Sequence, residues 1–178
     1  MLQNYNKWKV LQPFFDSPLA EGGLQLREIS RKVKLAPPSV KNYLHDLQKE
    51  NLILERKHRL QSHPVYVAHR DDVNFKFFKK IDLIFRLKQS GLLQDIQNKC
   101  LPSAIIIFGS AARGEDTEYS DIDLFVGAKE LTINVDKYEK VVHRRISLFF
   151  EEDFKKLSKE LKNNILNGIL LYGYVKVF

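Results

Sequence analysis

The sequence predicts an α+β chain: a basic, mostly helical domain over residues 1–70, a helical connector over 71–90, and over 91–178 a small domain that combines strands with helices. Three observations carry this. Over the first 50 residues apolar side chains recur at helical spacing, and two short strand-like runs follow. Runs of β-branched and aromatic residues at 104–108, 124–126 and 145–150 read as strands separated by glycine-containing and helix-like stretches. Charge is partitioned as well: residues 1–70 hold 12 Lys+Arg against 6 Asp+Glu, net +6, whereas residues 71–178 hold 17 against 16, net +1. A basic module beside a nearly neutral one fits a polyanion partner, and equally fits a solvated surface when charge is taken alone.

Composition sets outer bounds. A chain of 178 residues holds one ordinary domain or two small ones. With 44% hydrophobic and 11% aromatic residues it can build cores, which argues against wholesale disorder. The single cysteine, Cys100, excludes an intrachain disulfide and a cysteine-rich zinc site, and it fits a reducing compartment. Residues 1–9 are too polar for a signal-peptide core, and no apolar run approaches the roughly 18 residues needed to span a bilayer. A cytoplasmic protein without a membrane partner is therefore expected. There is no repeat and no low-complexity tract.

Along the chain, Trp8, Leu11, Phe14 and Phe15 predict a first helix that Pro13 kinks or shortens. After Gly22-Gly23, Leu26, Ile29 and Val33 mark a second helix, with Arg27, Arg31, Lys32 and Lys34 off its apolar stripe. Pro37-Pro38-Ser39 opens a third helix, because proline suits a first helical turn. Within it Val40, Tyr43, Leu44 and Leu47 face the core. Ser39, Lys41, Asn42, His45 and Gln48 are left on the other face, where short polar and basic side chains can reach base edges and phosphates. The runs Leu52–Arg56 and Pro64–Val67 then predict a hairpin with Lys57-His58-Arg59 at or near its tip.

This order of helix, helix, recognition helix and basic hairpin resembles the winged helix-turn-helix family over about residues 5–70. The likeness is clearest at Leu35-Ala36-Pro37-Pro38-Ser39-Val40-Lys41-Asn42-Tyr43-Leu44-His45-Asp46-Leu47 with Asn51-Leu52-Ile53. It implies double-stranded DNA as a partner, with Ser39, Lys41, Asn42, His45, Lys57 and Arg59 as contacts. Winged helices also dock proteins, and the local excess of positive charge favours DNA. Many such proteins read two half-sites, which leaves a homodimer open. His45, His58, His63 and His69 lack cysteine or clustered carboxylate companions, so surface or phosphate-contacting roles fit them better than a metal site.

Residues 72–88 are apolar around much of a helix, through Phe75, Phe77, Phe78, Ile81, Ile84, Phe85 and Leu87. Such a helix wants neighbours on two sides, as an inter-module connector, a dimer contact or a core helix. Ala104–Phe108 reads as a buried strand ended by Gly109-Ser110, and Leu124-Phe125-Val126 as another strand preceded by Asp121-Ile122-Asp123. Two aspartates two apart on a strand point to one side and can hold a divalent cation whose remaining ligands come from a triphosphate. Gly109 lets backbone approach phosphate, Ser110 and the amides of a following helix would grip it, and Arg113 adds positive charge.

Phe108-Gly109-Ser110-Ala111-Ala112-Arg113-Gly114 with Ser120-Asp121-Ile122-Asp123-Leu124 resembles the signature of the polymerase-beta-type nucleotidyltransferases, in particular their minimal branch, over about residues 92–174. Joined to a winged helix, the chain is similar to two-domain proteins of an archaeal type. The resemblance implies a mixed β-sheet flanked by helices, a nucleoside triphosphate, Mg2+ or Mn2+ at Asp121 and Asp123, a phosphate grip at Gly109 and Ser110, and transfer of a nucleoside monophosphate with departure of pyrophosphate. It also implies a third carboxylate on a later strand, completing the metal that activates the attacking hydroxyl. The later strand is expected at 145–150, and there the sequence departs, with Ser147 in the carboxylate's place. Glu151, four residues or roughly 13 Å further along an extended strand, cannot take over the position. Three readings follow: a DNA-binding, transcription-regulating protein whose second domain binds nucleotide with impaired transfer; an active transferase acting on a nucleic-acid or protein acceptor; and an antitoxin-like partner of a toxin. The residues after 158 predict a closing helix and strand without chemistry.

Overall fold

A computed structural model of the chain describes residues 5–20, 22–57 and 63–177. They form two compact units, 1–79 and 80–178. The division falls inside the stretch expected to be a connector, which is one helix, α4 (Val73–Ser90).

The first unit contains α1 (Tyr5–Asp16), β1 (Leu24–Gln25), α2 (Leu26–Val33), α3 (Pro37–Lys49), β2 (Ile53–Lys57) and β3 (Pro64–Ala68). Pro13 sits buried inside α1, which ends three residues later. The turn between α2 and α3 is shaped by Lys34 in the left-handed region, by the Leu35 amide donating to the Ser30 carbonyl at 3.2 Å, and by the Ser30 hydroxyl donating to the Leu35 carbonyl. Prolines in the first turn of α3 cost no intrahelical bond there. Val40, Leu44 and Leu47 are buried with Ile29, Val10, Phe14 and Leu52 in one core. Aromatic edges join it: Phe15 lies 5.2 Å from Phe75 and 5.7 Å from Trp8, centroid to centroid. The sheet is antiparallel in the order β1-β3-β2. β1, only two residues long, was not anticipated. The last pairs of the hairpin are Arg56 with Val65 and Lys57 with Pro64. His58 and Arg59, expected at its tip, lie outside the described residues.

The second unit continues from α4 through α5 (Leu92–Cys100), β4 (Ala104–Phe108), α6 (Gly109–Arg113), β5 (Ile122–Val126), α7 (Asp136–Val142), β6 (Ile146–Phe150), a 3-10 turn (Phe154–Lys156), α8 (Lys159–Leu166) and β7 (Ile169–Gly173). The sheet order is β6-β5-β4-β7; β4 is antiparallel to both neighbours and β5 is parallel to β6, so the sheet is mixed. Strand alternation divides β4 between two cores. Ile105 and Ile107 pack with Leu87, Leu92, Ile96, Tyr138 and Val142, while Ala104 and Ile106 pack with Phe125, Phe154, Leu157 and Ile165. A strand buried on both faces has no place for a polar residue, which is why Ala104–Phe108 is wholly apolar. Among the described residues, no helix is long and apolar enough to cross a membrane.

Candidate functional site

β4 and β5 run antiparallel, so the end of β4 meets the start of β5, with Phe108 opposite Asp123. The chain leaves β4 at Gly109, whose φ of +72° turns it directly into α6. A Cβ at Gly109 would stand 2.8 Å from Asp123 Oδ2, so the missing side chain is what admits that carboxylate against the backbone. Ser110 follows in the first turn of α6, partly exposed. Asp123 lies within β5 and is half-buried; Asp121 immediately precedes the strand and is exposed. Burial first, and the neighbouring Asp121 charge second, raise the Asp123 carboxyl above the usual aspartate range.

The neighbour of Asp123 across the sheet is equally well defined. On β6, Ser147 pairs with Asp123 in a parallel register that runs from Ile122 opposite Ile146 to Val126 opposite Phe150. Ser147 is exposed. Glu151 lies at the far end of these strands: its amide donates to the Val126 carbonyl at 3.2 Å, and its carboxylate accepts from the Asp153 amide at 2.9 Å. Among the described residues no group of three or more His, Cys, Asp or Glu side chains is arranged to hold a metal ion. Asp121 and Asp123 offer the hard oxygen donors that a divalent cation takes, and Ser147 across the ladder adds a neutral hydroxyl.

Arg144, which sequence reasoning did not single out, ties this end of the sheet together. It forms an ion pair with Asp116 at 3.9 Å, both side chains less than a tenth exposed, and its Nε donates to the Thr117 carbonyl at 2.9 Å. The Thr117 amide donates to Ser120 Oγ at 2.9 Å, and the Ile122 amide donates to the Arg145 carbonyl at 2.8 Å. The loop that delivers Asp121 is thus held against the start of β6. Its only sequence signal was two arginines before a strand, and burial of one of them cannot be read from that. Arg113, expected at the triphosphate, lies at the last residue of α6 with its Nε donating to Glu115 at 2.9 Å. Gly109 lies against Asp123, Asp121 is close enough to act on it by charge, and Ser147 faces it across the ladder, whereas the Arg113 guanidinium is paired with Glu115 on the surface.

In the first unit Ser39, Lys41, Asn42 and His45 are exposed on α3 opposite its buried Val40, Leu44 and Leu47, and Lys57 is exposed at the end of β2. Those five project from the surface without forming a closed site.

Residues 91–175 match the family model described as Polymerase beta, Nucleotidyltransferase. The match and the mixed sheet flanked by helices give the second unit a nucleotidyltransferase-type fold. No curated protein matches the chain.

Proposed function

We propose that the second unit binds a nucleoside triphosphate with one divalent cation and is impaired in nucleotidyl transfer, and that the first unit is a winged helix-turn-helix that binds double-stranded DNA, making the whole a DNA-binding regulator. The observation that carries the impaired-transfer reading is Ser147 in register with Asp123, where a third carboxylate belongs. Asp121 and Asp123 would hold Mg2+ or Mn2+ together with triphosphate oxygens. When bound, the metal neutralises phosphate charge and polarises the phosphoryl centre. Gly109 and the first amides of α6 face the same end of the sheet and supply donors for phosphate, with the Ser110 hydroxyl beside them. A neutral hydroxyl at 147 is a weak ligand for a hard cation, so the attacking hydroxyl of an acceptor goes without activation.

Pyrophosphate release with each nucleoside triphosphate, Mg2+ or Mn2+ and varied acceptors tests this on the natural chain, Ser147→Asp and Asp121→Asn. Silence in the natural chain and turnover in Ser147→Asp are expected. Turnover by the natural chain that disappears in Asp121→Asn would instead establish a working transferase, the reading favoured by the complete Gly109-Ser110 and Asp121/Asp123 set.

The exposed polar face of α3 and the net charge of +6 over residues 1–70 support the DNA reading. Duplex affinity is expected to fall steeply with salt, and Lys41→Ala should reduce the slope of log affinity against log salt by about 1. An affinity insensitive to salt would remove DNA as the partner.

A further inference from the structure

The sheet of the second unit has two edges, and one of them, β7, is apolar on both faces. Among the described residues β7 pairs only with β4. Leu170 sits opposite Ile106, on the α8 side of the sheet, and Tyr172 sits opposite Ile105, on the α5 and α7 side, with a register shift between them. Leu170 is 52% exposed and Tyr172 43%; Leu166, at the end of α8, is 47% exposed and Tyr174, just beyond the strand, 72%. From Leu166 to Val175 there is no charged side chain and no proline. Edge strands ordinarily carry lysine, proline or inward charge to repel another strand, and β7 carries none of these.

We infer that β7 is the self-association surface of the protein and that its occupant is a second copy of this chain, paired β7 to β7 in antiparallel fashion to continue the sheet. A ligand lying on one face would cover Leu170 or Tyr172, not both; an added strand covers both. A twofold axis perpendicular to the sheet keeps like faces together, so the leucines of the two copies adjoin on one side and the tyrosines on the other. The uncharged stretch offers no like-charge contact when it meets itself. Leu166, Leu170 and Tyr172 leave on the order of 300 Å² uncovered per copy by typical side-chain areas. Doubled and joined by the strand backbones, that is the size of a small, concentration-dependent interface. This inference stands independently of what the nucleotidyltransferase-type site does.

Sedimentation equilibrium of the full chain over a concentration series tests it. The natural chain is expected to reach twice the 20.8 kDa chain mass, and the double variant Leu170→Lys/Tyr172→Lys to stay at 20.8 kDa with an unchanged far-ultraviolet circular dichroism spectrum. Leu131→Lys, at an exposed apolar residue elsewhere in the unit, should leave the dimer intact. A natural chain that is monomeric at every concentration, or a dimer that survives the double variant, would overturn the inference. Should the double variant misfold, hydrogen exchange on the natural chain decides: β7 amides must gain protection with rising concentration, and protection independent of concentration overturns the proposal.

Discussion

Substituting Gly109 by alanine perturbs backbone and site at once, and the structure separates the two costs. At φ +72° an alanine pays the left-handed penalty of about 1–2 kcal/mol. Its Cβ also meets Asp123 Oδ2 at 2.8 Å, and ordinary contact begins at 3.4 Å, so the carboxylate must withdraw by 3.4 − 2.8 = 0.6 Å. That movement is cheap in stability, because the offending atom ends a side chain that can rotate. It is not cheap for ligand binding, since site geometry must hold to about 0.5 Å. Gly109→Ala should therefore lose about 1–2 kcal/mol in urea unfolding followed by circular dichroism. It should also bind nucleotide in the presence of Mn2+ at least about tenfold more weakly, a change of about 1.4 kcal/mol. Gly109→Asn isolates the second effect: asparagine tolerates the left-handed region and still carries a Cβ. It should recover most of the stability and none of the binding. If Gly109→Ala unfolds and binds as the natural chain does, neither the backbone conformation nor the contact with Asp123 constrains this position, and the geometric account of the site is refuted.

Two further outcomes follow from charged and polar groups in each unit. Arg144→Met removes an ion-pair partner of the buried Asp116 carboxylate and a donor to the Thr117 carbonyl, at a cost of about 1.5–3 kcal/mol. Adding Asp116→Asn should recover part of that loss in equilibrium unfolding, and strict additivity of the two changes would show that they do not interact. Burial, then the cross-strand Glu55 charge, raises the Tyr66 phenol above its ordinary value. The unfolded chain therefore loses this proton first: the contribution to stability is complete below about pH 10 and declines as pH climbs through the raised folded value. Thermal unfolding from neutral to strongly alkaline pH should show a shallower alkaline decline in Tyr66→Phe, and identical profiles would contradict the assignment.

What could be read in advance, and what could not, divides along physical lines. The buried stripe of α3 and the double-sided burial of β4 were legible because burial imposes periods of 3.6 and 2 on side-chain polarity. The convergence of Gly109 with Asp123 was legible because strand, glycine turn and acidic pair occur at short range. β1 left no trace, because two residues cannot show alternation. α5 went unassigned, since its nine positions bury only Leu92 and Ile96. The pairing of Ser147 with Asp123 depended on a register between strands more than twenty residues apart, which the sequence can propose and only the ladder can fix. The positions of Arg113 and Arg144 were beyond reach for a different reason. Arginine is ordinarily exposed, so nothing in its neighbours' identity announces that one pairs with a surface glutamate and the other is buried against Asp116.

The serine at 147 also has an electrostatic consequence. Asp123 already holds its proton more tightly than an ordinary aspartate through burial and the charge of Asp121. A third carboxylate in register with it would add like charge across the strands, worth about 0.2–1 kcal/mol of destabilisation at such an exposed position. A bound cation would reverse that sign, because whatever binds only the folded state stabilises it, by RT ln(1 + c/Kd) at free cation concentration c. Ser147→Asp should consequently be less stable than the natural chain without divalent metal and gain more stability from Mn2+. If the natural chain responds to Mn2+ as strongly as Ser147→Asp does, the missing carboxylate costs the site nothing in cation binding. The proposal of impaired transfer would then lose the observation on which it rests.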